Sequence, residues 1–185
     1  MSAFETLFAL FGLVLGLAIA DILGCFARAL DSRPRIKIGW LTPLLALVVL
    51  LDLTTYWAVA WMFRDETPPS LVTLFGALLF SSLYYLAAYR VFPGEFVDGV
   101  NLDERFFEIR RFVIGVLVFA RTLQLVAVAS VPTYAPALTN AFTLATFALM
   151  FTFYGLAMVI RNKSALIALF ATFISFYLVG PLLAL

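Results

Sequence analysis

The chain has 185 residues, 64% hydrophobic and 12% charged, with a formal net charge of +1 and a mean hydropathy of +1.07. Soluble domains are about half apolar and a quarter charged, so this composition excludes an ordinary soluble fold and places the chain in lipid. The near-neutral charge excludes nucleic acid as a partner. With no histidine and one cysteine, Cys25, there is no disulfide within the chain and no set of the usual ligands for haem, zinc, copper or iron, so neither cofactor nor metal is expected.

A membrane-crossing helix needs about 20 consecutive, mostly apolar residues. The first such run covers 4–29 and is read as part of the mature fold: no Lys or Arg precedes Arg28, Glu5 interrupts the start, and the run exceeds the core of a signal peptide. Within "GLVLGLAIADILG" small residues recur every fourth position, at Gly12, Gly16, Ala20 and Gly24. Residues four apart share a helix face. Between helices in lipid, close approach over small residues replaces the hydrophobic drive, so this face is expected to pack on another helix. Asp21 sits beside it, about 12 Å from the helix end, with Arg28 two turns on along the same face. It is either a solvated structural acid in a vestibule or an acid that binds a proton or cation. Cys25 is expected to be a small packing residue.

The next residues, "GCFARALD", resemble the G-x-x-A-R core of membrane phosphatidyl-group transferases. That resemblance implies aspartates around the core for metal and phosphate, but the corresponding positions hold Ala20 and Leu23, and Asp21 is out of register. No histidine can serve an intramembrane serine protease, and no acid has the glycine-flanked setting of an intramembrane aspartyl protease. An enzyme is therefore not expected.

The second span, 38–63, follows "DSRPRIKIG" and carries Asp52; the third, 69–91, follows "RDETPPS" and carries Ser82, Tyr85 and Tyr89 along one side. After "FPGEFVDG", the stretch "NLDERFFEIRRF" offers Asn101 or Asp103 as a helix cap and acids in the first turn. It reads as an interfacial helix start with Glu108 and Arg111 paired, or as a lipid-headgroup or partner site. The fourth span, 106–130, holds Arg121 and Gln124 on one face. The fifth, 136–160, follows "SVPTYAP" and can align Asn140, Thr143 and Thr146; the sixth, 164–184, follows "RNKS". Trp40, Trp57, Trp61 and Tyr134 read as interfacial aromatics. The apolar runs are continuous rather than alternating, which excludes a β-barrel. The expected fold is thus all-α, a single six-span membrane domain over 1–185.

A charged residue near the middle of a membrane helix costs roughly 2.5–3.5 kcal/mol on insertion scales, so it needs a partner or water. With a rise of about 1.5 Å per residue, Asp52 and Arg121 both lie roughly 21 Å into their helices. They form the natural pair. Such a pair is either a gate or substrate site, with Gln124 and Asn140 as further polar lining, or a clamp between the second and fourth helices.

Ten of the twelve Lys and Arg residues fall on one side: Arg28, Arg33, Arg35 and Lys37, then Arg90, Arg105, Arg110 and Arg111, then Arg161 and Lys163. Only Arg64 falls opposite, and Arg121 is inside. Positive residues stay cytoplasmic, so both termini are expected on the non-cytoplasmic side of the cell (inner) membrane. Shifting the second span by 97 positions onto the fifth aligns Leu41-Thr42 with Leu138-Thr139, Thr55 with Thr152 and Arg64 with Arg161. A shift of 95 lays "SLVTLFGALL" on "ALIALFATFI". Halves 1–92 and 101–185 would then be inverted three-helix repeats, a plan recurrent in transporters. Two functions follow. One is a small channel or carrier for an ion or solute, homo-oligomeric because a lone bundle leaves little room for a pore. The other is an accessory or assembly subunit of a larger membrane complex. In both, membrane lipid and other membrane subunits are the partners.

Overall fold

The computed structural model describes residues 3–64 and 70–183, the side chains of 3–7, 137 and 179–183 excepted. Six α-helices follow one another: α1 (Ala3–Asp31), α2 (Leu41–Met62), α3 (Leu71–Val91), α4 (Leu102–Ser130), α5 (Ala141–Val159) and α6 (Lys163–Leu183). The first five are long and apolar enough to cross a membrane; in α6 the described apolar stretch, Lys163–Leu178, is shorter.

The helix starts are set by local chemistry. Ser70 accepts from the Thr73 amide at 3.1 Å, Asn101 from the Asp103 amide at 3.1 Å, Asn140 from the Phe142 amide at 2.9 Å, and Asn162 from the Ser164 amide at 3.0 Å. Each satisfies a donor that the first turn leaves without a partner. Asn101 is thus the cap of α4, which begins at Leu102, four residues before the expected start. Conversely α5 begins at Ala141, because Ala135–Thr139 winds as a 3-10 turn. Asn140 is therefore the cap of α5 and not a residue within that helix, where it was expected.

α2 lacks a cap of its own. The carboxylate of Asp103, in the first turn of α4, takes that role, accepting from the amides of Trp40 at 3.1 Å and Leu41 at 3.0 Å. It also meets Lys163 of α6 at 3.5 Å, while Thr42 donates to the Leu102 carbonyl at 2.5 Å. Beside it, the Lys37 amide bonds the Val100 carbonyl at 2.8 Å and the Leu102 amide bonds the Lys37 carbonyl at 2.9 Å, a single bridge between the two loops. The starts of α2, α4 and α6 are stapled together at the end rich in Lys and Arg.

α1 lies most closely along α3. Its buried residues are Phe11, Leu15, Ala18, Ile22, Cys25 and Ala29. These steps of four and three are the spacing of a heptad seam. The glycine stripe is not this seam. Gly16 and Ala20 are exposed, and nothing lies within 4 Å of where a Cβ on Gly16 would be. Gly12 faces only the Trp57 ring at 3.6 Å, and Gly24 only the Arg28 guanidinium at 3.7 Å. The expected packing face is thus corrected within the chain: bulky residues on the adjacent face bring more atoms into contact than a smooth one can. Accordingly Gly16→Leu should leave thermal stability in detergent unchanged within about 0.5 kcal/mol, as for surface substitutions generally. A loss of several kcal/mol would contradict this placement.

The two halves are not packed alike. α1 runs close along α3, whereas α4 reaches α6 through side chains such as Phe106 and Phe170, rings 5.8 Å apart. Of the tryptophans, Trp40 and Trp61 are exposed, while Trp57 is half-buried, with ring contacts to Phe8 at 5.4 Å and Phe11 at 6.5 Å.

Candidate functional site

Asp52 of α2 and Arg121 of α4 meet inside the bundle, 1% and 3% exposed. The Arg121 Nε donates to Asp52 Oδ1 at 2.7 Å, and Nη2 lies 2.5 Å from the same oxygen. Nη2 also donates to the Asp52 carbonyl at 3.2 Å. The pair expected from matched depth is formed.

Three tyrosines complete it. Tyr84 of α3 donates to Asp52 Oδ2 at 3.0 Å, and Tyr154 of α5 and Tyr177 of α6 donate to Oδ1 at 3.0 and 3.1 Å. Arg121 Nη2 donates to the Tyr177 hydroxyl at 3.1 Å, and Nη1 to Gln124 Oε1 at 2.7 Å. One carboxylate thereby ties α2 to α3, α4, α5 and α6. Only α1 stands outside. Aromatic packing holds the phenols: Tyr84 stacks on Tyr56 at 5.3 Å, Tyr154 lies 5.9 Å from Phe173, and Tyr177 meets Phe173 edge-on at 5.0 Å.

Two apolar cavities flank this layer. One of about 470 Å³ lies between α1, α2, α3 and α4, lined by Phe11, Val59, Phe63, Phe80 and Gln124 among others. The other, about 400 Å³, lies between α2, α4, α5 and α6; Arg121, Gln124, Thr55 and Tyr177 supply its polar wall and Phe142, Phe147 and Phe176 its apolar one. Gln124 borders both.

The remaining sequence candidates do not join the hub. Asp21 is half-buried on α1 and, among the described residues, makes no hydrogen bond or ion pair. Arg28, expected alongside it, instead donates to the Cys25 sulfur at 2.9 Å. Asn140 caps α5 as described. On α3, Ser82 bonds back to the Leu78 carbonyl and Tyr89 is exposed, so the expected stripe of Ser82, Tyr85 and Tyr89 is not the polar side of that helix; Tyr84 is. Sequence reasoning missed Tyr84, Tyr154 and Tyr177. The available signal was their phenolic hydroxyls deep in apolar spans, where each must find an acceptor.

Chemically, the hub neutralises both charges with internal donors and acceptors. A carboxylate that receives arginine and three hydroxyls has its acceptor sites engaged, and a guanidinium so bound is fixed in orientation. Among the described residues no group of three or more Asp, Glu or Cys side chains is arranged to hold a metal ion. Comparison with protein-family models, with curated proteins and with solved structures gives no match, so the site is judged by its chemistry.

Proposed function

We propose that this chain is a non-catalytic subunit of a larger assembly in the cell (inner) membrane, one that holds other membrane segments in place. The observation that supports it is the closure of the Asp52–Arg121 layer by Tyr84, Tyr154, Tyr177 and Gln124. A permeant ion would have to displace bonds that join five helices. The hub therefore acts as a clamp, and the working surfaces are the outer faces. The exposed Gly16 and Ala20 side of α1 suits close approach by a helix of another subunit. Purification in mild detergent tests this. Foreign membrane subunits should accompany the protein and be lost with Gly16→Leu while its own thermal stability is kept. Association with copies of itself alone, indifferent to Gly16→Leu, would overturn the proposal.

The orientation belongs to the same reading, with both termini non-cytoplasmic. It is supported by ten Lys and Arg residues on one side against Arg64 on the other. In a Cys25→Ala background, Thr133→Cys should react with an impermeant thiol reagent added to intact cells and Ser32→Cys should not. Labelling of the Ser32 site would reverse the topology. Thr67, which would report on the same side as Thr133, lies outside the described residues.

A second reading, passage of an ion or small solute, is favoured by the cavity that reaches Arg121, Gln124 and Tyr177. Under it, liposomes carrying the protein show a flux that changes when Asp52→Asn and Arg121→Gln are combined. Under the subunit reading the combined variant leaves liposomes as tight as the wild type does.

A further inference from the structure

α4 has 29 residues, about 43 Å at 1.5 Å per residue, against a hydrocarbon layer of about 30 Å. α5 has 19 residues and ends at Val159, beside the third turn of α4. The first turns of α4 and the α5–α6 loop are thus excess length at the basic end, where headgroups lie. Between them is an open cavity of about 550 Å³ lined by Phe107, Glu108, Arg110, Arg111 and Arg161.

Arg110 anchors this cavity. It is 4% exposed, its Nη1 donates to the carbonyls of Ala157 at 3.1 Å and of Ile160, and its guanidinium lies 4.9 Å from the Phe107 ring centre. It caps the last turn of α5, a favourable place for a cation. Its Nε is buried with no partner. A buried donor left unpaired is costly, and native structures rarely tolerate one without a water, ion or ligand. Arg111 and Arg161 are exposed, and among the described residues neither forms an ion pair; the expected Glu108–Arg111 pair is not made. Three guanidinium groups against one carboxylate leave the cavity positive, with one wall apolar. Guanidinium forks match phosphate oxygens better than ammonium groups do.

We propose that Arg110, Arg111 and Arg161 form a phosphate-binding site at the basic end of the membrane domain, taking the phosphate of an anionic phospholipid headgroup or free phosphate. Arg111 and Arg161 supply the outer contacts, Arg110 the fixed inner positive charge, and Phe107 a surface for the first methylenes of a lipid. The site needs only a membrane-embedded chain and is indifferent to whether the protein is a subunit or a carrier.

The test is thermal unfolding of the full chain in a neutral detergent, with added phosphatidylglycerol, phosphatidylcholine or inorganic phosphate. Phosphatidylglycerol should raise Tm by several degrees more than phosphatidylcholine does. Arg111→Gln with Arg161→Gln should abolish at least half of that difference, the two Arg→Lys changes should retain part of it, and Arg33→Gln with Lys37→Gln, the same loss of two positive charges elsewhere on that end, should retain all of it. Stabilisation by millimolar phosphate without lipid, lost in the same double variant, would assign the site to free phosphate; stabilisation by lipid alone assigns it to a headgroup. No preference for either ligand over phosphatidylcholine overturns the proposal. So does an equal loss in Arg33→Gln with Lys37→Gln, which would mean diffuse surface charge.

Discussion

Asp52→Asn should destabilise the protein by about 3–5 kcal/mol, the usual loss when one partner of a buried ion pair is removed. The guanidinium of Arg121 would stay charged at 3% exposure, with Gln124 and Tyr177 as its remaining side-chain partners. The three phenols would share one amide oxygen in place of a carboxylate. Arg121→Gln should cost less, because Asp52 keeps the hydroxyl donors of Tyr84, Tyr154 and Tyr177. The double variant should be more stable than the sum of the singles predicts, since no buried charge remains, yet it should not reach wild type. Tyr84, Tyr154 and Tyr177 would still lack the carboxylate, a shortfall of about 1 kcal/mol for each weakened hydrogen bond. Thermal unfolding of all four proteins in one detergent gives the coupling energy directly. A coupling near zero would mean that the hub does not hold the helices.

Gly39→Ala should produce the second largest loss, about 2–4 kcal/mol from strain and a lost cap together. Gly39 has φ +63°, the left-handed region that glycine tolerates, and a Cβ there would overlap the carboxylate of Asp103. Asp103 would have to withdraw from the Trp40 and Leu41 amides and from Lys163, opening the staple that joins α2, α4 and α6. Gly99 provides the control. Its φ of +83° carries the same kind of strain, but nothing lies within 4 Å of its missing Cβ, so Gly99→Ala should cost only about 1 kcal/mol. Adding Asp103→Ala to Gly39→Ala should cost little more than Gly39→Ala alone, because the cap is already gone. Equal unfolding temperatures for the two glycine variants would show that the overlap is relieved without cost.

Both predictions depend on polar groups in a medium where an unpaired one is expensive, and those were the legible part of the sequence. Asp52 and Arg121 stand out because charge at mid-span must be compensated, and their matched depth sufficed to pair them. Asn101 was readable as a cap from its residue type and the acids that follow. The cap role of Asp103 was harder to read: it serves α2, some 60 residues earlier, and nothing local reveals a cap donated by another helix.

The tyrosines and the glycine stripe show where sequence reading fails. α2, α3, α5 and α6 are apolar on every side, so no periodicity tells which face turns inward. Ser82, Tyr85 and Tyr89 formed as plausible a stripe as the side that holds Tyr84. In α1, small residues at every fourth position and large ones at heptad spacing both describe a packing face. Only the neighbouring helices choose between them, and they took Phe11, Leu15, Ala18 and Ile22.

By itself, then, the sequence determined an all-helical membrane chain, where its helices begin and end to within a few residues, and which two charges must meet. Hydrophobicity, capping chemistry and the cost of an unpaired charge in lipid act locally or on depth alone. Tertiary structure decided which face of each helix is buried, that three tyrosines close the hub, that Asp103 caps a helix it does not belong to, and that Arg110 turns inward to hold the end of α5. Those outcomes depend on the rotation of each helix about its axis, which a uniformly apolar surface leaves free until the helices pack.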